Sequence, residues 1–313
     1  MKIGLIGFGS IGQRHYKNLQ KYSKDITVLT KRKDVFLPNI VKNWRKFLNN
    51  GPFDVIFIAN ETHKHIPTIK KCISLEPRAI FVEKPLSHDT KELRRVETLL
   101  RHRKISLWVG YCLQFYKPLL RIKKIIQSKK LGKIYYMRIF AGGDLRAWRK
   151  RDYRGSYSAK KEEGGGVMLD LVHDINYPAW ILNDILMPKS AFAGKISKLN
   201  INSEDLAETV MISKNKGVVV SVHQDYLTVP GGRICEIGGA KGTLRWNSAD
   251  DAITILLKKG FFKEKIKIDR NDMYERELDF FFRQMKRSKF FTNLNQAIAD
   301  MFNVEYLKKL ARI

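Results

Sequence analysis

Gly7-Phe8-Gly9-Ser10-Ile11-Gly12 decides how the rest of this 313-residue chain is read. Ahead of it, Met1-Lys2-Ile3-Gly4-Leu5-Ile6 is a short apolar run with strand character. Behind it, Ser10 to Lys21 can form a helix, so three glycines fall on a strand-to-helix turn. Such a turn suits the pyrophosphate of a dinucleotide: the first glycine permits the tight turn, the second lets the backbone approach the phosphates, and the third lets helix and strand pack closely. The open N–H groups at the helix N-terminus, with its dipole, favour the negative charge. Glycine turns also arise for steric reasons alone. The strand before and the helix after are what point to a dinucleotide here, with Gly7, Phe8, Gly9, Ser10, Ile11 and Gly12 as its cradle.

Moving outward, Ile26-Thr27-Val28-Leu29-Thr30 reads as a second strand followed by Lys31-Arg32-Lys33. An acid that would bind the ribose 2′-hydroxyl of NAD is expected near this point, and none occurs before Asp34. Thr30, Lys31 and Arg32 suit a 2′-phosphate instead, which favours NADP slightly over NAD. Phe53 to Ala59 is a continuous apolar run, as a strand buried on both faces should be, and it leads into Asn60-Glu61-Thr62-His63-Lys64-His65. Alternate histidines make poor metal geometry without a third ligand, so His65, with Asn60, is read as packing or as a cofactor contact, and no metal is expected. Ala79 to Val82 is another buried strand, ending in Glu83-Lys84-Pro85, which places a lysine at the same carboxyl edge as the glycine turn. An ammonium there can orient a substrate hydroxyl and polarise a developing alkoxide. With a helix from Asp89 to Arg103 and a strand from Ile105 to Gly110, the alternation predicts a doubly wound parallel sheet.

The rhythm changes near residue 115, so residues 1–115 are read as a dinucleotide-binding domain and 116–313 as a substrate-binding and oligomerisation domain of α+β type. A segment from Arg146 to Tyr157 gathers Arg146, Trp148, Arg149, Arg151, Tyr153, Arg154 and Tyr157, side chains able to hold a polar substrate or simply to form a solvated basic loop. Gly164-Gly165-Gly166 then precedes a helix predicted from Val167 to Leu182, on which Asp170 and His173 share a face. An imidazole with a carboxylate neighbour can move protons near neutral pH. Strand candidates follow at 207–212, 217–226, 234–237, 242–246, 252–257 and 265–268, their turn signals suiting an open, mostly antiparallel sheet. Helices close the chain at 272–287 and 293–311, with Phe280, Phe281 and Phe282 read as core.

Hydrophobic content of 44% and charged content of 29% are those of an ordinary globular enzyme. No run approaches a membrane span and no leader is evident, so a cytoplasmic protein without a membrane partner is expected. Three cysteines, Cys72, Cys112 and Cys235, suit a reducing compartment and offer no zinc spacing. The formal charge of +28 reads as a lysine-rich solvated surface or as attraction for an anionic small molecule. Nucleic acid is not expected as a partner, for no recognition signature accompanies the charge.

Taken together, the glycine turn, Ala59 to His65, Glu83-Lys84-Pro85, Gly164 to Asp170 with His173, and Glu236 to Leu244 resemble the glucose-fructose oxidoreductase and inositol dehydrogenase family, Gfo/Idh/MocA. The resemblance implies an N-terminal Rossmann domain followed by an open sheet that often forms the interface of a homo-oligomer, a dimer or tetramer. It implies a catalytic lysine at Lys84, often before a cis proline, and a carboxylate and histidine at Asp170 and His173 that complete the site. The spacing of three between those two departs from the family's commoner four, which makes Asp174 the alternative to Asp170, and Asn60-Glu61 stands where Thr-Pro is usual. Sugars, polyols and nucleotide-linked sugars are the implied substrates, with carbohydrate biosynthesis a natural setting. Two rival functions stay open: an epimerase or eliminase with tightly bound NAD and no net redox change, and a cofactor-binding sensor without turnover.

Overall fold

The computed structural model describes residues 1–148, 152–250 and 252–313. In chain order the elements are β1 (Ile3–Ile6), α1 (Ser10–Leu19), β2 (Ile26–Leu29), β3 (Ile40–Val41), α2 (Trp44–Asn49), β4 (Val55–Ile58), α3 (His65–Ile73), β5 (Ala79–Glu83), α4 (Leu93–His102), β6 (Ser106–Gly110), α5 (Lys117–Gln127) and β7 (Ile134–Gly142). They continue as α6 (Val167–Asp170), α7 (His173–Leu182), β8 (Leu186–Gly194), β9 (Leu206–Ser213), β10 (Val219–Asp225), β11 (Gly232–Gly239), β12 (Gly242–Asn247), β13 (Ala252–Leu257), β14 (Gly260–Lys265), α8 (Asp272–Arg287) and α9 (Leu294–Leu310). Two compact units result, one of Met1–Tyr111 with Tyr274–Met301 and the other of Cys112–Met273 with Phe302–Ile313.

The first unit is a six-stranded parallel sheet in the order β3-β2-β1-β4-β5-β6. Its central strands are apolar at every position but Glu83, the last of β5, and are buried throughout, which is what a parallel sheet flanked by helices requires. Phe57 on β4 and Phe81 on β5 stack with centroids 4.9 Å apart, and Phe281 from α8 meets both edge-on. Because the strands are parallel, the glycine turn after β1, Asn60 after β4 and Lys84 after β5 all emerge at one carboxyl edge, where ligands bind in folds of this kind.

The second unit carries an eight-stranded sheet in the order β14-β13-β12-β11-β7-β10-β9-β8, antiparallel except for the pair β7 and β10. On α5, Leu119, Ile122 and Ile125 recur at helical spacing and are buried.

Two local expectations are corrected and two stretches without an expectation are filled. Val167 to Leu182 is two helices: α6 stops at Asp170, α7 starts at His173, and the Gln224 side chain from β10 donates to the Leu171 carbonyl in the break. β3 and α2 fill a stretch the sequence left unassigned. β8 was also unassigned; it is an edge strand, where Pro188 is tolerated at a register shift. The last strand runs over Gly260–Lys265 rather than 265–268, since Lys258 and Lys259 form a two-residue turn and Gly260, at φ +115°, opens the return strand.

Candidate active site

In the first unit, Gly7 has φ +94°, and a Cβ on it would come within 2.5 Å of the Ala59 carbonyl. A Cβ on Gly12 would strike the Gly7 carbonyl, so helix and strand can approach only without one. Gly9 differs: nothing lies within 4 Å of its imagined Cβ, and it caps α1 with no side chain on the open N–H groups and no acid in the first turn. Phe8 is buried, Ser10 exposed and Ile11 half-buried at this turn. Beside it, Asn60 donates from Nδ2 to Thr68 Oγ1 at 2.9 Å, while its Oδ1 is buried with no hydrogen-bond partner among the described residues. Open space over Gly9, bare helix N–H donors and an orphaned acceptor fit a dinucleotide's pyrophosphate and hydroxyls.

At the end of β2, Thr30 is buried, Lys31 exposed and Arg32 half-buried. Arg32 reaches back to the glycine turn, donating from Nη1 to the Phe8 carbonyl at 3.0 Å, and grips Asp34 through Nε at 2.9 Å and Nη2 at 2.5 Å. The first acid after β2 is therefore neutralised by the arginine.

Lys84 is half-buried and the Lys84–Pro85 peptide is cis. His65, at the start of α3, is buried with Nδ1 2.7 Å from the Pro85 carbonyl and Nε2 3.1 Å from the Asn60 carbonyl. Burial holds its pKa below the ordinary value and the ring neutral, so its one N–H goes to the nearer acceptor, Pro85. Sequence reasoning missed His15. It sits on α1, is buried, and places Nε2 2.6 Å from Oε1 of Glu83, the residue before Lys84. Its position one helical turn past Gly12 was the available signal.

In the second unit, Asp170 is buried and accepts a hydrogen bond from Tyr226 Oη at 2.7 Å. The Tyr226 ring meets the Trp148 ring edge-on at 5.1 Å. His173, also buried, has Nε2 3.7 Å from the Cys112 thiol. Asp174 is taken up elsewhere: fully buried, it forms a two-pronged pair with Arg233, Nε to Oδ1 at 2.9 Å and Nη2 to Oδ2 at 3.1 Å. The triple glycine serves this chain's own packing, for a Cβ on Gly166 would collide with the Glu204 carboxylate. Of the basic segment, Arg146 is exposed and paired with Asp144, Arg154 is paired with Asp152, Tyr153 accepts from the Asn200 amide, and Tyr157 is half-buried. Arg149 and Arg151 lie outside the described residues. Tyr226 and Cys112 were missed because neither stands in a motif. Among the described residues no group of three or more His, Cys, Asp or Glu side chains could hold a metal ion. Nor, among them, is any helix long and apolar enough to cross a membrane.

Residues 1–111 match the family described as an oxidoreductase family with an NAD-binding Rossmann fold, and residues 119–245 match the GFO/IDH/MocA C-terminal domain. The chain belongs to the Gfo/Idh/MocA family. Curated relatives are distant. An uncharacterized oxidoreductase of Bacillus subtilis is 25% identical over 190 residues, 57% of this chain and 53% of its own length. An inositol 2-dehydrogenase/D-chiro-inositol 3-dehydrogenase of Shouchella clausii is 22% identical over 259 residues, 78% of this chain and 71% of its own length. Among solved structures, a levoglucosan dehydrogenase in complex with NADH and levoglucosan superposes with a TM-score of 0.86 at 17% identity, covering 100% of this chain and 97% of that one. That likeness is one of fold.

Proposed function

We propose that this Gfo/Idh/MocA protein is an NAD(P)-dependent oxidoreductase acting on a secondary alcohol of a sugar, polyol or nucleotide-linked sugar, with Lys84, Asp170 and His173 as its catalytic residues. What carries the reading is Lys84, an amine at the carboxyl edge shared with the open glycine cradle, both of its neighbours in sequence hydrogen-bonded. Inositol and levoglucosan dehydrogenases among the similar proteins support the substrate class.

A bound nicotinamide would supply the hydride acceptor or donor. Gly7 to Gly12, Asn60 and Glu83 with Lys84 hold that cofactor in this reading, and His65 acts through Pro85. In the oxidative direction the His173 imidazole takes the hydroxyl proton and the Lys84 ammonium steadies the oxygen as it becomes a carbonyl. Asp170, oriented by Tyr226, hydrogen-bonds a neighbouring substrate hydroxyl. Trp148, Tyr153 and Tyr157, with Arg146, hold the substrate in this reading, and the +28 charge draws an anionic substrate. Lys31 and Arg32, with Asp34 neutralised, favour NADP. The open sheet of the second unit forms a homo-oligomer interface.

The test is reduction of NAD+ and NADP+ with a panel of polyols, aldoses and uridine-diphosphate sugars. Wild type turns over at least one, and Lys84→Ala and His173→Ala lose roughly 100-fold or more in kcat while NADH still binds, the scale of one proton-transfer or charge-stabilising group. A Lys84→Ala protein that keeps full turnover overturns the assignment. NADH binding without turnover of any panel member points to a sensor.

A further inference from the structure

Past Glu83 the backbone of β5 loses its ladder. Pairing with β4 ends at Val82 and Ile58, pairing with β6 ends at Glu83 and Gly110, and Pro85 has no N–H to give. Yet the residues on both sides of Lys84 are held, each by an imidazole from a different helix. From α1, His15 is wedged against the rings of Phe57 and Phe81, at 5.7 and 5.2 Å, and meets the Glu83 carboxylate at 2.6 Å. From α3, His65 donates to the Pro85 carbonyl at 2.7 Å. We propose that His15 and His65 are positioning residues that fix the Lys84 ammonium through its two neighbours and tie it to α1, the helix whose N-terminus forms the dinucleotide cradle; the proposal rests on the assignment of Lys84 made above.

His15 also answers an electrostatic need. Glu277 on α8 is buried, accepts from Trp108 Nε1 at 3.1 Å, and is held well above the usual carboxylate range by burial and then by the charge of Glu83. Glu277 Oε2 has no hydrogen-bond partner among the described residues, so Glu277 does not hold Glu83, and the ring that meets the Glu83 carboxylate is that of His15. Without it a buried carboxylate is short of its imidazole donor and turns away, and the strand end moves with it. The arrangement makes cradle and lysine one piece: the distance from pyrophosphate to amine is set by side-chain contacts within the first unit.

Site-resolved acetylation of the full chain by acetic anhydride, read by peptide mass spectrometry with exposed Lys24 as internal standard, tests this without any substrate. His15→Phe and His65→Leu remove the two donors, and each shifts the relative rate at Lys84 by roughly fivefold, the weight of one net hydrogen bond. His15→Gln and His65→Asn put an amide N–H near the lost Nε2 and Nδ1 and bring the rate back to within about twofold of wild type, as a restored hydrogen bond of that weight requires. Rescue by these variants is what loss of ring packing alone would not produce. If His15→Phe does not fold, Glu83→Gln reads the same contact and shifts Lys84 likewise. An unchanged Lys84 rate in folded variants overturns the proposal and leaves the catalytic assignment standing. Full turnover by Lys84→Ala does the reverse.

Discussion

Tyr226 donates its phenolic proton to Asp170 across 2.7 Å, and both side chains are buried although 56 residues separate them. The tyrosine comes from the residue after β10 and the aspartate ends α6, so the bond exists only once sheet and helix have docked. The two acids of the Asp170 to Asp174 segment thus have different partners, Tyr226 for Asp170 and Arg233 for Asp174.

Tyr226→Phe keeps the ring against Trp148 and removes only the donor. Leaving a buried carboxylate short of one hydrogen bond costs about 1–3 kcal/mol. Urea denaturation should show that loss, with kcat falling and cofactor affinity unchanged. Stability equal to wild type would mean that Asp170 finds another donor.

The Arg233 and Asp174 pair behaves differently under single and double substitution. Arg233→Met alone takes the arginine away from a fully buried carboxylate and should destabilise the fold by about 3–5 kcal/mol. Adding Asp174→Leu removes that buried charge and should recover most of the loss. A double variant no more stable than the single one would contradict this.

His223, on β10, stands between two carboxylates, with Nδ1 2.5 Å from Glu208 and Nε2 2.8 Å from Asp225. Its hydrogen bond to Asp225, against burial and with help from Glu208, raises its pKa above 6.5. A raised value stabilises the fold below pH 6.5, and the contribution is lost as pH climbs through the folded pKa. Burial pushes Asp225 up, but hydrogen bonds from His223, Thr228 and Leu227 prevail and hold it at about 2, so its contribution is present above pH 3.8 and lost as pH falls through about 2. Tm should therefore be highest between about pH 4 and 6.5 and decline above, and His223→Gln should flatten the alkaline side. An identical pH profile in that variant would rule the cluster out as the cause.

Two glycines of the cradle separate folding from binding. Gly9→Ala places a methyl in open space, so the fold should be unaffected while NADH affinity drops on the order of tenfold, about 1.4 kcal/mol. Gly7→Ala forces φ +94° on a side-chain-bearing residue and a clash with the Ala59 carbonyl, which should lower the stability of the fold outright, by about 1–3 kcal/mol from the backbone alone. Unaltered NADH binding by Gly9→Ala would place the pyrophosphate elsewhere.

At Arg32 the cofactor preference can be read directly. Arg32→Ala frees Asp34 from its partner and removes a cation, so the ratio of NADPH to NADH affinity should fall by roughly tenfold, the share of one charge-assisted pair. Fluorescence titration with both cofactors measures it. An unchanged ratio would show that Arg32 braces the Phe8 turn and does not read a 2′-phosphate.

The parallel sheet and its cradle were legible because their signals are local. A four-residue apolar strand, a glycine turn and a helix start are each written in neighbouring positions, and Lys84 follows from its place at the end of an apolar run. The spacing of Asp170 and His173 misled for the same reason: three residues apart reads as one helical face, but a glutamine from β10 caps Leu171 and splits the helix between them. β8 escaped because its one conspicuous residue, Pro188, argues against a strand until the strand is known to lie at a sheet edge.

What the sequence by itself determined is the alternation of β1, α1, β2, β4, β5 and β6, the glycine turn between β1 and α1, and a lysine at the end of β5, all fixed by steric and hydrophobic preferences acting over a few residues. Only the tertiary structure decided which groups surround them: His15 beside Glu83 at a separation of 68 residues, Tyr226 beside Asp170, and Arg233 beside Asp174. Strand order and register bring those partners together, and no periodicity along the chain encodes a contact made across a sheet.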